Sequence, residues 1–237
     1  AGSNGIEVWS MQSAVSLSIS GNSITDYERG YTLWNCPTTG TVSVEGGTVT
    51  GGQQGIVATN FDNFGDALAS TYLLHEVTIV GAALEGVLVE DSASNTNGAT
   101  VMVTVTNADI SGCGTGIATV GTTGDDQLEV HDSSITGSAG FAIANQDPTR
   151  SVHAECNWFG SAASGAIAPQ ISGIVLYSPW LVSGTDIAPG TPGFQPVITS
   201  CTGTPVFVTV TTVTNTTCPG GSDGAIDVTP SGGTPPY

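Results

Sequence analysis

A glycine followed by an apolar-x-apolar triplet returns six times along the chain. It reads Gly5-Ile6-Glu7-Val8, Gly30-Tyr31-Thr32-Leu33, Gly55-Ile56-Val57-Ala58, Gly86-Val87-Leu88-Val89, Gly116-Ile117-Ala118-Thr119 and Gly140-Phe141-Ala142-Ile143. The steps between these glycines are 25, 25, 31, 30 and 24 residues. A second pattern runs in phase, with two apolar residues two apart and a third five positions further on: Leu17, Ile19, Ile24; Val42, Val44, Val49; Tyr72, Leu74, Ile79; Val103, Val105, Ile110; Leu128, Val130, Ile135; and Val152, Ala154, Phe159. Period-two alternation over so few residues predicts strands, and no stretch sustains the i, i+3, i+4, i+7 spacing of a helix. Gly, Asn, Ser, Thr and Asp between the runs supply turns. A unit that repeats while its loops vary in length predicts a solenoid.

Stacked coils place equivalent positions in register. Ile19, Val44, Leu74, Val105, Val130 and Ala154 then form one internal ladder, and Ile24, Val49, Ile79, Ile110, Ile135 and Phe159 a second. A single coil cannot bury its apolar side, whereas a stack can. At about 4.8 Å per strand, six coils make a rod about 30 Å long. The predicted class is all-β, a parallel β-helix of about six to seven coils.

Charge narrows the partners. The chain has 20 carboxylates, no lysine, and only Arg29 and Arg150 as strong bases, for a formal charge of −18. Phosphate recognition needs a basic footprint, so nucleic acid is excluded as a partner. No apolar run reaches the roughly 20 residues of a membrane span, so direct membrane insertion is not expected. An acidic coat rich in Thr, Ser, Gly and Asn suits an extracellular surface. The chain starts inside a repeat without an initiator methionine and stops at Gly233-Thr234-Pro235-Pro236-Tyr237 within another pattern, which reads as a piece of a longer protein.

Of the five cysteines, Cys36, Cys113 and Cys156 fall at unrelated positions of different coils and are expected as buried thiols outside any disulfide. Cys201 and Cys218 bracket the strand-like Val206-Phe207-Val208-Thr209-Val210 and form the candidate disulfide, the alternative being two separate thiols.

Residues 1–182 are assigned to the β-helix and its closing segment, 183–203 to a Gly/Pro/Thr linker, and 204–237 to a further module. Asn157-Trp158-Phe159-Gly160 followed by Tyr177-Ser178-Pro179-Trp180-Leu181 resembles the C-terminal closure of right-handed parallel β-helix regions in large secreted bacterial proteins. Cys218-Pro219-Gly220-Gly221-Ser222-Asp223-Gly224-Ala225-Ile226-Asp227-Val228 with Ser231-Gly232-Gly233-Thr234-Pro235-Pro236-Tyr237 resembles the start of the Ig-like β-sandwich repeat of Bacteroidota gliding adhesins, the SprB type. That resemblance implies a secreted or cell-surface protein of that phylum, exported by the type IX system.

Candidate chemistry is sparse. The register puts Glu129 and His131 beside His153 and Glu155 on an outer face, a set of ligand types that suits a divalent cation such as zinc; the alternative is a solvated cross-strand ladder. No other cofactor is implied. Asp125-Asp126 superficially resembles the paired acids of β-helical polygalacturonases, but that family's Asn-Thr-Asp and Gly-His-Gly stretches and basic clamp are missing. Arg29, beside Asp26 and Glu28, and Arg150, after Asp147-Pro148, read as surface charge balance in turns. Asp91-Ser92-Ala93 matches the acceptor pattern of Bacteroidota protein O-glycosylation, which makes Ser92 the candidate modification site.

The expected function is a non-enzymatic structural or adhesive module of a bacterial cell-surface or secreted protein, with a surface glycan or another extracellular protein as partner. The alternatives are the C-terminal part of a β-helical polysaccharide-degrading enzyme, and an extracellular filament subunit that self-associates by strand exchange through its C-terminal segment.

Overall fold

The computed structural model describes residues 3–9, 16–34, 36, 40–60, 69–90, 100–121, 126–203, 206–218 and 220–232. Five coils of three strands follow one another. The first two are β1 (Asn4–Trp9), β2 (Leu17–Ser20) and β3 (Ser23–Thr25), then β4 (Arg29–Trp34), β5 (Val42–Glu45) and β6 (Thr48–Thr50). The next two are β7 (Gln54–Thr59), β8 (Ser70–His75) and β9 (Thr78–Val80), then β10 (Glu85–Glu90), β11 (Val101–Thr106) and β12 (Asp109–Ser111). The fifth is β13 (Thr115–Val120), β14 (Asp126–His131) and β15 (Ser134–Thr136). Like strands stack in parallel, giving two seven-stranded sheets and one of five. The two longer sheets continue through β16 (Ile143–Asn145) and β17 (Val152–His153), then β18 (Ile171–Ser172) and β19 (Val175–Leu176). In the sixth coil the third strand shrinks to a single bridge, Ser134 to Trp158. The chain is therefore a parallel β-helix, with five complete turns and two partial ones.

Both internal ladders are observed. Ile19 pairs with Val44, Val44 with Leu74, Leu74 with Val105 and Val105 with Val130. On the third sheet the row runs Ile24, Val49, Ile79, Ile110, Ile135. Apart from the first coil's Ile19 and Ile24, these side chains are at most 1% exposed. The repeat glycine is required by close approach rather than by an unusual dihedral: a Cβ on Gly30 would lie 2.5 Å from Gly55 O and 2.7 Å from Val49 Cγ1.

The sixth glycine departs from the expected register. Ile117 pairs with Ile143, not with Phe141, and Phe141 is 40% exposed. Pairing glycine with glycine would drive the larger Phe141 ring beneath Ile117 in a closely packed interior. Two extra residues in that coil let Ile143 take the inner place instead.

Two corner columns carry a residue in the left-handed region, and in the second coil a further such glycine follows at each, Gly47 and Gly52. Between the second and third sheets these are Gly21, Gly46, Glu76, Asn107, Asp132 and Cys156, with φ between 54° and 66°. After the third sheet they are Asp26, Gly51, Gly81, Gly112, Gly137 and Gly160. Gly, Asn and Asp tolerate this conformation best, which accounts for most of both columns.

The rod closes on aromatic side chains. Phe159 and Trp180 are each 1% exposed. Tyr177 meets Phe159 edge-on at 6.4 Å and stacks on Trp180 at 6.0 Å. The Trp180 Nε1–H donates to Ala162 O at 3.1 Å. A one-turn helix, α1 (Ser164–Ile167), adds the fully buried Ile167.

Residues 183–203, read as a linker, run back along the rod. Gly193 N donates to Thr78 Oγ1 at 2.8 Å, and Phe194 N to Asn107 O at 2.7 Å. The Phe194 ring is buried, and β20 (Trp180–Leu181) pairs antiparallel with β21 (Cys201–Gly203). This packing corrects the cysteine assignment: Cys201 bonds to Cys156, with Cα atoms 5.1 Å apart, and Cys218 is an exposed thiol. Cys156 occupies a corner position rather than a core slot, and the returning segment brings Cys201 to that corner. Cys36 and Cys113 are buried thiols, as expected.

The last two described strands form an antiparallel hairpin, β22 (Val206–Thr214) with β23 (Ala225–Gly232). Its pairing shifts between Val210 and Thr212, so Val210 opposes Val228 while Val213 opposes Ile226. The bulge thus places residues three apart in sequence on one face. These four side chains are exposed, from 47% to 68%.

Candidate functional site

The predicted histidine and glutamate set is adjacent but does not converge. Glu129 pairs with His153 across β14 and β17. His153 Nδ1 lies 3.6 Å from Glu155 Oε1 of its own coil, and His131 Nδ1 lies 3.4 Å from the Glu155 backbone O. Among the described residues, no group of three or more His, Cys, Asp or Glu is placed to hold a metal ion. The four residues make an outer polar ladder that continues to His75, whose Nδ1 is 2.8 Å from Thr106 Oγ1. Beside the ladder lies a groove of about 380 Å³, lined by Gln127, Glu129, Thr149, Arg150 and His153.

Arg29 differs from expectation in its partner. Arg29 begins β4, and its Nε–H donates to Gln54 Oε1 at 3.1 Å, not to Asp26 or Glu28. Gln54 in turn donates to Glu85 Oε2 at 2.9 Å, so three successive coils share one polar chain. Arg150 lies in a turn held by Asp147, whose Oδ1 accepts from Thr149 N, Thr149 Oγ1 and Arg150 N. Ser92, Asp125 and the Asp126 side chain lie outside the described residues.

Burial shifts several groups. Asp109 and Asp132 are held above the usual carboxylate range by desolvation, and the Cys113 thiol is raised for the same reason. Tyr27 is pushed up to about 12 by burial, reinforced by Cys113. Asp132 lies at a corner, Asp109 begins β12, and Tyr27 and Cys113 are buried in the core.

The outer face of the first sheet is less plain than alternation implied. Its middle column, Val57, Leu88, Ala118 and Ala144, forms a second buried apolar cluster with Val120 packed against it. The signal was present in the repeats themselves: where the residue between the two apolar positions is also apolar, the strand is buried on both faces.

At the N-terminal end of that face the row changes character. Trp9 and Trp34 stack with ring centroids 5.5 Å apart and planes at 24°. Beside them lies a groove of about 260 Å³, lined by Glu7, Arg29, Thr32, Trp34, Thr59 and Glu90. Thr32 and Thr59 are 2% and 5% exposed, and neither hydroxyl has a partner among the described residues. A buried hydroxyl without a partner costs about 1–3 kcal/mol. Trp9 and Trp34 occupy equivalent positions four residues after a repeat glycine, a coincidence legible in the sequence but visible as a site only once Thr59 and Glu90 of later coils stand beside them.

No curated protein and no solved structure matches the chain. A sequence model of the SprB repeat matches residues 210–237, which take in most of the hairpin and none of the rod.

Proposed function

We propose that the chain is a non-enzymatic module of a bacterial cell-surface protein, in which a stiff β-helical rod is joined to a SprB-type repeat and serves adhesion. The observation that carries this reading is the SprB match directly after the rod. SprB repeats come from cell-surface proteins, and the Cys156–Cys201 disulfide fits the oxidising surroundings of such a location. Among the described residues no helix is long and apolar enough to cross a membrane. The sequence resemblance extends the proposal to a Bacteroidota protein exported by the type IX system, with a surface glycan or an extracellular protein as partner.

Labelling of intact cells with an antibody to the rod tests location: staining without permeabilisation is expected, and staining only after permeabilisation overturns the reading. Incubation with neutral and acidic polysaccharides, followed by reducing-end assay, tests the absence of catalysis; chain cleavage by the pure protein would favour an enzyme. The exposed apolar face of the hairpin also supports self-association, since a two-stranded hairpin is marginal alone. Sedimentation over a range of concentrations distinguishes a monomer from an assembly.

A further inference from the structure

We propose that the Cys156–Cys201 disulfide is a mechanical bridge, through which tension on the C-terminal repeat passes from Cys201 directly into the sixth coil and bypasses residues 157–200. Only the source of that tension rests on the adhesive reading.

Chain order sets the path. Cys201 opens β21 and β22 begins at Val206, so the hairpin leaves the rod a few residues beyond the bridge. The SprB match starts at residue 210. A pull on that repeat therefore reaches Cys201 before any residue of the segment that returns along the rod. The disulfide carries the pull to Cys156, and the chain between the two cysteines lies in a closed covalent loop that bears none of it.

The bypassed chain is poorly built to resist a pull. Among the described residues, the segment 183–200 is hydrogen-bonded to the coils by Gly193 N to Thr78 Oγ1, Phe194 N to Asn107 O and Asn107 Nδ2 to Phe194 O. These contacts cluster on two residues, and Ile187 and Ile198 on either side are 65% and 58% exposed. Tension entering at one end would peel such contacts one by one. Behind them stands the closing cluster of Phe159, Tyr177 and Trp180, whose loss would open the apolar end of the rod.

The landing point is built the opposite way. Cys156 stands at a corner of the sixth coil, and residues 156–158 are tied to 130–133 of the fifth over a short span. Asp132 N donates to Cys156 O at 3.0 Å and Trp158 N to Ser133 O at 2.8 Å. Asn157, 0% exposed, accepts from Ser133 N at 2.9 Å through Oδ1 and donates to Val130 O at 2.7 Å through Nδ2. Nδ2 also reaches Ala154 O of its own coil at 2.8 Å. A pull on Cys156 is shared among these buried bonds, which must break together and without competition from water. Thermal stabilisation would need a bond anywhere along the returning segment. This one sits at the end next to the repeat, where the pull arrives.

The test is force spectroscopy on the whole chain, held by its two ends. After the hairpin opens, the parent is expected to give way next in the coils, with no length released from 157–200. Cys201→Ser is expected to add an event before the coils, at lower force, of about 60 Å for residues 183–200, and to be about 150 Å longer at full extension. Reducing the fully extended parent with dithiothreitol should lengthen it by the same amount, a measurement that stands even if Cys201→Ser does not fold. Asn157→Ala, with the bridge intact, should lower the force of the first coil event without adding an earlier one. The bridge's role is overturned if Cys201→Ser loses its coils with no weaker event ahead of them, or if the parent does not lengthen on reduction. It is also overturned if Asn157→Ala leaves the first coil event at the parent's force. Pulling needs neither ligand nor cell, so these outcomes overturn the mechanical path alone, whereas a rod that antibody cannot reach on intact cells overturns the adhesive reading alone.

Discussion

The rod and the terminal hairpin are written in the same alphabet and reach opposite ends of the burial scale. Val105 of β11 and Val213 of β22 both lie in Val/Thr-rich strands, yet Val105 is fully buried and Val213 is 60% exposed. In the rod, each strand between the two end coils has parallel neighbours above and below and two further sheets closing the interior. In the hairpin, Val210, Val213, Ile226 and Val228 share a face with nothing layered over it among the described residues. Alternation specifies a strand; burial needs a second layer.

The largest effect expected on this contrast comes from charge in the stack. Val105→Asp places a carboxylate between Leu74 and Val130 with no partner, at a cost of about 4–5 kcal/mol or more. Thr104→Asp, on the outer face of the same strand, should leave the melting temperature nearly unchanged. Equal tolerance at the two positions would break the register itself.

The disulfide comes next. It closes a loop of 45 residues, worth about 4 kcal/mol in a chain-entropy account. Cys156→Ser should lower Tm and speed amide exchange through residues 183–203, leaving exchange in the hairpin as it was. Unchanged protection of the 183–203 segment would show that Phe194 and Asn107 hold it unaided.

Alkaline pH provides a third test, because Tyr27 ionises in the folded state near 12 rather than 10. A phenol whose folded pKa is raised contributes stability that is complete below pH 10 and lost as pH rises toward 12. The loss amounts to about 2–3 kcal/mol for two pKa units. Thermal melts from pH 9 to 12 should fall less steeply in Tyr27→Phe, and since the Tyr27 hydroxyl has no hydrogen-bond partner among the described residues the variant should fold normally at neutral pH.

The smallest effect is expected in the hairpin. Val213→Thr keeps a β-branched side chain on an exposed face and should change stability by no more than about 0.5 kcal/mol. Amide exchange in a dilute monomer should be fast across β22 and β23 while the coils stay protected. Slow exchange there would mean that the hairpin is covered in solution.

The spacing of Val44, Leu74 and Val105 revealed the rod because a repeating coil writes each internal position into the sequence once per turn. The sixth coil misled for the same reason: a glycine and a large apolar residue stood in the expected order, but volume at Ile117 decided for Ile143. The second apolar cluster was legible in Val57 and Leu88, each flanked by apolar neighbours. The Thr32, Thr59 and Trp34 groove was not, because its residues come from different coils and its unpartnered hydroxyls are a property of the packed surface.

Local pattern was sufficient for the strands, the two inward ladders, the Gly, Asn and Asp corners and the aromatic closure, because each depends on side-chain period, backbone permissiveness or bulk that a residue carries with it. Tertiary structure alone decided that Cys201 reaches Cys156 and that Phe194 docks beside Asn107. It alone decided that one groove is lined by Trp34, Thr59 and Glu90 together. These groups join residues from 25 to 87 positions apart. Which of many distant groups meet is set by how the whole stack twists and closes, and no local period records that.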